Sequence, residues 1–379
     1  MKKFSYKQII SFLFIIVLAF FFLGSLFMPD KDFSESENRS LQEAPSFSLG
    51  KYMEGRFEKK LENYVNDQFL LRDKLIKVKS AVDLMSGKVE SNGVYKCKDN
   101  YLMEKLNAPE AHFKNTLKAL KFFRRTNSDL NMYFLLAPNA ANIYADKLPM
   151  TVTMSDQNKH MDDFFNEIIK YGYNGIDVRD KFDAEKNSTQ LFYRTDHHWT
   201  SNGAYIAYKL AVQKMDLSKA VEYNGYAVKK DFKGTLYSKS GFVNGLDDEI
   251  KIFLPENSKK YNNSVIYYAD TKKKTTKFYE LDNLKKKDAY TVFGGSNHPI
   301  YTIQTPCDSK KNLLILKDSY ANSLIPFLSQ HYRRIVVVDP RYFYGDIKDI
   351  IDSNGIDDVL FLYNANTFFQ DNSLEMMLR

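Results

Sequence analysis

Four short, largely apolar segments constrain the fold of this chain more than any other feature. They are Met132–Leu136, Leu313–Leu316, Arg334–Val338 and Asp358–Leu362. Continuous apolar runs of this length are typical of parallel strands buried on both faces. Stretches with helical spacing separate them, so the sequence predicts an α/β protein with a parallel sheet covered on both faces. Ligands of such folds bind at the carboxyl ends of the strands.

Residues 222–305 interrupt this alternation of strands and helices. The segment is rich in Tyr, Lys and Asn and holds short alternating pieces, of which Ser264–Tyr268 is one. Alternating polar and apolar residues are typical of half-exposed strands. We therefore expect a β-rich insertion here, which helps to wall a site.

The N-terminal segment predicts a transmembrane helix. Ile9–Phe27 carries no charge and follows Lys2, Lys3 and Lys7. At about 1.5 Å per residue it spans roughly the 30 Å hydrocarbon core, and the preceding lysines favour a cytoplasmic N-terminus. A cleaved signal peptide is the alternative. Its apolar region is usually about 7–15 residues long, so the uncleaved anchor is favoured.

The sequence thus predicts three parts. Residues 1–29 form a cytoplasmic tip and transmembrane anchor. Residues 30–92 form a juxtamembrane linker with one or two amphipathic helices between Phe57 and Met85. Residues 93–379 form the α/β domain with its insertion at about 222–305.

Composition narrows the classes of partner. The chain has a formal net charge of +7, but its basic and acidic residues are interspersed. No basic block resembles a nucleic-acid-binding arm, so no nucleic-acid partner is predicted. Cys97 and Cys307 are the only cysteines. We expect two separate buried thiols, although a single disulfide is permitted outside the cell.

One short run of residues contains side chains that are suited to acid–base catalysis. Within Tyr193–Thr200, Asp196 precedes two of the six histidines, His197 and His198, and the only tryptophan, Trp199. A carboxylate can orient an imidazole, and the imidazole can deprotonate a hydroxyl. His198 is the predicted base and Asp196 its orienting acid. Since adjacent side chains alternate in an extended segment, His197 should support the site or contact substrate instead.

The matching nucleophile is predicted about 120 residues further along the chain. Ser319 follows the apolar run that ends at Leu316 and begins a predicted helix near Tyr320–Leu328. Free N–H groups at a helix N-terminus favour an alkoxide or a tetrahedral oxyanion. The simpler alternative is that Asp318 or Ser319 only caps the helix.

A metal site is a second alternative for Asp196, His197 and His198. One carboxylate and two imidazoles suit zinc, iron or manganese. Adjacent residues rarely reach one ion, however, and no other His/Asp cluster completes a site in this sequence. The prediction therefore includes no metal and no cofactor.

These residues resemble the DHHW family, whose name is the run Asp196–Trp199. That family is related to the SGNH-hydrolase-like domains of the periplasmic proteins that O-acetylate alginate. The likeness extends to four further motifs, which are Phe33–Arg39, Asp67–Phe69, Phe232–Ser238 and Asp318–Tyr320.

The resemblance implies a three-layer, flavodoxin-like α/β/α sandwich. The Asp-x-His run of the alginate proteins maps onto Asp196 and His198, and their later serine maps onto Ser319. This chain order is the reverse of the order in ordinary SGNH hydrolases. The resemblance also implies a covalent acetyl-serine intermediate.

We therefore expect a membrane-anchored, extracytoplasmic O-acetyltransferase that modifies hydroxyls of a cell-surface or secreted polysaccharide. The Tyr320 backbone N–H and Asn364 would stabilise the oxyanion, while His197 and Trp199 would contact substrate. By family analogy, a membrane-bound O-acyltransferase would supply the acetyl group. An acetylesterase, a non-enzymatic scaffold of a polysaccharide synthesis complex and, more distantly, a metal-dependent phosphoesterase remain alternatives.

Overall fold

A computed structural model describes residues 5–34, 39–242, 245–256 and 263–379. The predicted cytoplasmic Lys2 and Lys3, and Glu35–Asn38 of the first family-like motif, lie outside the described residues. The fold divides into two compact units. One comprises Met1–Ser91 with Ser238–Phe242, and the other Asn92–Tyr237 with Val243–Arg379.

The α-helices of the described residues are α1 (Tyr6–Phe27), α2 (Leu49–Met53), α3 (Arg56–Asp67), α4 (Arg72–Met85), α5 (Phe113–Thr126), α6 (Ala140–Ile143), α7 (Gln157–Tyr171), α8 (Arg179–Glu185), α9 (Ser201–Lys214), α10 (Thr235–Ser240), α11 (Ile325–Leu328), α12 (Ile347–Asn354), α13 (Ala365–Gln370) and α14 (Ser373–Met377). Short 3-10 helices cover Lys98–Asn100, Ala145–Lys147, Leu281–Lys285, Ala289–Val292 and Ser319–Ser323.

The strands are β1 (Phe33–Ser34), β2 (Arg39–Ser40), β3 (Glu90–Ser91), β4 (Val94–Lys96), β5 (Leu102–Glu104), β6 (Asn131–Ala137), β7 (Asn174–Ile176), β8 (Tyr223–Phe232), β9 (Asp248–Pro255), β10 (Val265–Tyr268), β11 (Lys274–Thr275), β12 (Ile300–Gln304), β13 (Asn312–Lys317), β14 (Arg334–Val338) and β15 (Asp358–Asn364). All four apolar segments of the sequence are strands.

In the first unit, α1 contains the uncharged segment Ile9–Phe27. It is the one helix among the described residues that is long and apolar enough to cross a membrane, with a mean hydropathy of 2.8 and no buried residue. A signal sequence near the N-terminus can meet the same criteria of length and hydropathy. The amphipathic stretch between Phe57 and Met85 forms two helices, α3 and α4, as the periodicity allowed.

The second unit is built on an eight-stranded sheet of order β11-β10-β12-β14-β13-β15-β6-β7. The strands from β14 to β7 run parallel, whereas β12, β10 and β11 add antiparallel pairs at one edge. The sheet is therefore mixed, not parallel throughout. Three strands of the predicted insertion extend the central sheet, and β8 and β9 form a separate two-stranded sheet.

Alternating side chains of the central strands fill two cores. On β13, Leu313 and Ile315 pack in the core that contains residues of α9 and α11. Leu314 and Leu316 pack in the other core, with residues of α5, α7 and α12. Helices thus cover both faces of the sheet, which confirms the three-layer α/β/α architecture.

The two cysteines are separate free thiols, as expected. Cys97 is buried, whereas Cys307 is half-buried. Burial raises the pKa of the Cys97 thiol to about 12, so this side chain stays neutral and behaves as a small apolar group.

A buried histidine predicts acid sensitivity of the fold. His331 lies within hydrogen-bond distance of Tyr208 Oη (2.7 Å) and Ser218 Oγ (3.1 Å). Burial lowers its pKa from 6.5 to about 4. Below about pH 6.5, His331 becomes protonated in the unfolded chain, whereas in the folded chain it stays neutral down to about pH 4. The free energy of unfolding therefore falls on acidification. Between pH 7 and 5 this costs about 2 kcal/mol of unfolding free energy.

Urea unfolding of the purified chain in detergent at pH 7 and pH 5 measures this contribution. We expect His331→Gln to lose less stability than the wild type over that interval, by about 2 kcal/mol. Equal losses in the two proteins would show that His331 does not resist protonation in the folded state.

Candidate active site

Ser319 lies where a parallel strand ends at the carboxyl edge of the sheet. Strand β13 ends at Lys317, and Ser319 begins the 3-10 helix Ser319–Ser323. The buried Asp318 caps this turn, since its Oδ1 accepts from the Tyr320 N–H (2.9 Å) and its Oδ2 from the Asn364 N–H at the end of β15 (2.8 Å). Asp318 is therefore the cap, and the half-buried Ser319 side chain is left for other contacts.

A chain of two hydrogen bonds joins Asp196, His198 and Ser319. Asp196 Oδ1 lies 2.6 Å from His198 Nδ1, and His198 Nε2 lies 2.8 Å from Ser319 Oγ. Asp196 is 1% exposed and His198 4% exposed. The arrangement has the geometry of an orienting acid, a general base and a nucleophile. The segments that meet here are 121 residues apart in sequence.

The local electrostatics keep Asp196 charged. Burial alone would raise its pKa, but the neighbouring imidazoles of His197 and His198 and the hydrogen bonds from His198 and Thr235 outweigh it. The pKa of Asp196 is therefore held well below its usual range. An ionised carboxylate can accept the Nδ1–H of His198, which leaves Nε2 to act as a base toward Ser319.

The motif around Gly234 and Thr235 secures the far side of this carboxylate. Asp196 Oδ2 accepts from the Thr235 backbone N–H (2.8 Å) and from its hydroxyl (3.0 Å). A Cβ added at Gly234 would lie 2.3 Å from Cβ and from Oδ2 of Asp196. This close approach explains why a glycine precedes Thr235. Sequence reasoning noted the motif through the family resemblance but did not assign it this contact.

A single methyl group at Gly234 is therefore expected to disturb the site. In Gly234→Ala the buried Asp196 must move away from His198, and we expect roughly 100-fold slower cleavage of p-nitrophenyl acetate. Overpacking of this kind also costs roughly 1–3 kcal/mol of stability. A lower melting temperature would report this loss. Gly50→Ala is the matched control, since a Cβ there would meet nothing within 4 Å. Equal activity of the two variants would contradict this role for Gly234.

The imidazole of His198 lies between two other rings. Tyr290 stacks on it with ring centroids 3.7 Å apart and an interplanar angle of 8°, and the His197 ring is 3.9 Å away. Two rings at these distances cannot share one face, so they hold His198 from both sides. The Tyr290 hydroxyl also donates to Ser319 O (3.3 Å). Tyr290 belongs to the predicted insertion, which thus walls the site. No local signal distinguishes it among 26 tyrosines.

Trp199 does not lie where substrate could contact it. It is fully buried, and its indole N–H donates to Tyr320 O (3.0 Å) and Ser323 Oγ (3.0 Å). The prediction of a substrate-contacting tryptophan is therefore corrected. Trp199 ties the segment that carries the base to the helix that begins at Ser319.

The two predicted oxyanion donors are engaged elsewhere. The Tyr320 N–H donates to Asp318 Oδ1. The Asn364 side chain is buried as the N-cap of α13, where its Oδ1 accepts from backbone N–H groups and its Nδ2 donates to Ala137 O (3.3 Å). Both residues help to shape the turn around Asp318.

Asp248 anchors the loop that carries Asp196, and sequence reasoning did not identify it. It is buried at the start of β9 and accepts from the backbone N–H groups of Arg194 (2.9 Å) and Thr195 (2.7 Å). The Thr195 hydroxyl adds a further hydrogen bond of 2.6 Å. Burial raises the pKa of Asp248 above its usual value. Such a contact between distant segments has no local signature.

His197 lies beside the triad and is partly open. Its Nδ1 is 2.6 Å from Thr235 Oγ1, and 31% of its side chain is exposed. Asp196, His197 and His198 are the three residues considered above as metal ligands, and their ligand atoms lie within 4.8 Å of one another. Nδ1 of both histidines is already used in hydrogen bonds. An ion bound through those nitrogens would have to replace the contacts that orient the rings.

The class of protein follows from a comparison with family models. Residues 100–245 match the model described as an SGNH hydrolase-like domain, acetyltransferase AlgX. The matched range includes Asp196, His198 and Thr235. The predicted resemblance to SGNH hydrolase-like domains is thereby confirmed over this range. No curated protein sequence matches the chain.

Solved structures show the same fold. One is a DHHW family protein from Eubacterium siraeum, 22% identical, with a TM-score of 0.59 over 76% of this chain and 96% of that chain. Another is PatB1 from Bacillus cereus with a sulfonyl adduct, 18% identical, with a TM-score of 0.60 over 75% of this chain and 99% of that chain. Both likenesses cover most of this chain, and they support the fold independently of the family model.

Proposed function

We propose that this protein is a membrane-anchored, extracytoplasmic O-acetyltransferase that acetylates hydroxyls of a cell-surface or secreted polysaccharide. The hydrogen-bonded chain Asp196–His198–Ser319 is the observation that carries the proposal. The match to a family of acetyltransferases supports acyl transfer as the reaction class. Ser319 is half-buried, so an acyl donor can reach it, whereas the base and acid behind it are shielded from water.

The reaction has two half-reactions that use the same residues. First, His198 Nε2 takes the Ser319 proton as Oγ attacks the carbonyl carbon of the donor. The donor's alkoxide or thiolate leaves with that proton, and acetyl-Ser319 remains. Second, His198 takes the proton of an acceptor hydroxyl, whose oxygen attacks the acetyl-serine. The Ser319 oxygen then leaves and regains its proton from His198.

The anchor and the donor follow from the proposed location. Helix α1 would hold the protein in the membrane without cleavage, with the second unit outside the cytoplasm. Acetyl-CoA is a cytoplasmic donor and does not reach that compartment. A multi-span, membrane-bound O-acyltransferase that passes acetyl groups across the membrane is therefore the proposed partner.

Polymer acetylation in cells tests this function against its alternatives. In a deletion strain we expect surface-polymer O-acetyl content to fall and to return with the wild-type gene. Ser319→Ala should fail to restore it. The control Ser353→Ala changes an exposed serine of α12 and should restore it fully.

The alternatives predict different results in the same strains. If the protein is an acetylesterase, its deletion raises the acetyl content of the polymer. If it is a scaffold, Ser319→Ala restores acetylation as well as the wild type does. Either result would overturn the proposed transferase.

A further inference from the structure

Both histidines of the run are held by the same carboxylate. His198 contacts Asp196 Oδ1 directly. His197 reaches Asp196 Oδ2 through the hydroxyl of Thr235, at 2.6 Å and 3.0 Å for the two successive contacts. The direct contact orients the triad base. The indirect one has no role in the two half-reactions described above.

The hydrogen bonds assign the tautomer of His197. Asp196 is ionised and can only accept, so the single hydroxyl proton of Thr235 is donated to Oδ2. Thr235 Oγ1 must then accept from His197, which places a proton on His197 Nδ1. Burial and the neighbouring His198 lower the pKa of His197. The imidazole is therefore neutral near pH 7, with a free lone pair on Nε2.

That lone pair is available to a ligand. Nε2 of His197 makes no hydrogen bond to any described residue, and it is not among the buried unpartnered atoms. Solvent therefore reaches it. Its ring lies 3.9 Å from that of His198, whose Nε2 contacts Ser319 Oγ. The two imidazoles thus lie side by side, one with its Nε2 against the nucleophile and the other with its Nε2 accessible.

We infer that His197 Nε2 binds the acceptor by accepting a hydrogen bond from the hydroxyl adjacent to the one that is acetylated. The attacking hydroxyl has a single proton, which passes to His198 Nε2 in the second half-reaction. His197 therefore needs a different donor, and on a sugar the nearest is the hydroxyl of the neighbouring carbon. The acceptor class is then a vicinal diol. This inference rests on the proposed function and gives its acceptor preference.

Two isomeric acceptors test the preference in the wild type. The full chain in detergent is given p-nitrophenyl acetate with trans-1,2-cyclohexanediol or trans-1,4-cyclohexanediol, which differ only in hydroxyl spacing. The initial burst of p-nitrophenol reports formation of acetyl-Ser319. The ratio of acetylated diol to acetate reports transfer against hydrolysis. We expect the 1,2-diol to be acetylated about 10-fold better, the effect of one hydrogen bond.

Variants of His197 then assign the preference to this residue. His197→Asn keeps an N–H donor near Thr235 but removes Nε2, and should abolish the 1,2-diol preference, measured as the ratio of the two acetylated diols at equal amounts of acetyl-Ser319. His197→Gln, whose amide lies nearer the Nε2 position, should restore part of it. His160→Asn on α7 is the control that removes an imidazole outside the site.

The outcomes separate this inference from the proposed function. A wild-type burst without preference for the 1,2-diol, or a preference retained in His197→Asn, would overturn the inference and leave the acetyl-serine mechanism intact. No burst in the wild type would overturn the proposed function, and the inference with it. The wild-type comparison of the two diols remains decisive even if a His197 variant does not fold.

Discussion

Ser319→Ala is expected to reduce acyl transfer by at least about 10³-fold, because no other group replaces the attacking oxygen. His198→Ala should cost a similar factor, since it removes the base that lies 2.8 Å from Ser319 Oγ. The two side chains act as one unit in both half-reactions. The double variant should therefore be no worse than either single variant.

Initial rates of p-nitrophenyl acetate cleavage measure this effect. Ser353→Ala, which changes an exposed serine, controls for nonspecific loss. Far-UV circular dichroism and melting temperature should be close to wild type in Ser319→Ala, since the serine is half-buried and Asp318 caps the turn. A folded Ser319→Ala that retains more than about a tenth of wild-type activity would contradict a nucleophilic Ser319.

Asp196→Asn is the second substitution with a large expected effect. Every group around the carboxylate is a donor, with His198 facing Oδ1 and Thr235 facing Oδ2. An amide must turn its NH₂ group toward one of these donor pairs, whichever way it is placed. Either His198 loses its orienting acceptor or Thr235 is released. We expect a loss of about 10²–10⁴-fold in kcat.

The same substitution should destabilise the fold. An unsatisfied polar group at this buried position costs about 1–3 kcal/mol, or more where a charge is involved. Because the folded-state pKa of Asp196 is lowered, its stabilising contribution is present above the unfolded value of about 4 and is lost as pH falls through the folded value.

Stability and kinetics together decide the role of Asp196. The stability difference between wild type and Asp196→Asn should persist from neutral pH to about pH 4 and shrink only in stronger acid. The activity loss should be seen in kcat more than in KM, because the carboxylate acts through His198. Near-wild-type kcat in Asp196→Asn would mean that His198 is oriented by another group.

Much of the fold could be predicted because its signals are local. The segments Met132–Leu136, Leu313–Leu316 and Ile335–Val338 are continuous apolar runs, and each lies in a strand of the central sheet. The antiparallel edge formed by β10, β11 and β12 was not predicted. The pairings of β10 with β12 and of β12 with β14 join residues 30 or more positions apart, which leaves no local pattern.

The candidate site also has parts that could be predicted from the sequence and parts that could not. Asp196, His198 and Ser319 were predicted from residue types whose chemistry is distinctive, and the structure brings them together. The stacking of Tyr290 on His198 depends on tertiary contact alone. The oxyanion roles of Tyr320 and Asn364 were predicted from their positions after strands, whereas the Tyr320 N–H donates to Asp318 and the Asn364 amide to Ala137 O. Hydrogen-bond partners of a turn between strands cannot be derived from spacing.

Trapping of the acyl intermediate tests the central claim most directly. The full chain in detergent would be exposed briefly to p-nitrophenyl acetate, quenched in acid and analysed by intact-mass spectrometry and peptide mapping. We predict an adduct of one acetyl group on Ser319, absent from Ser319→Ala. Folded wild-type protein without an adduct, or an adduct that persists in Ser319→Ala, would contradict an acetyl-serine mechanism.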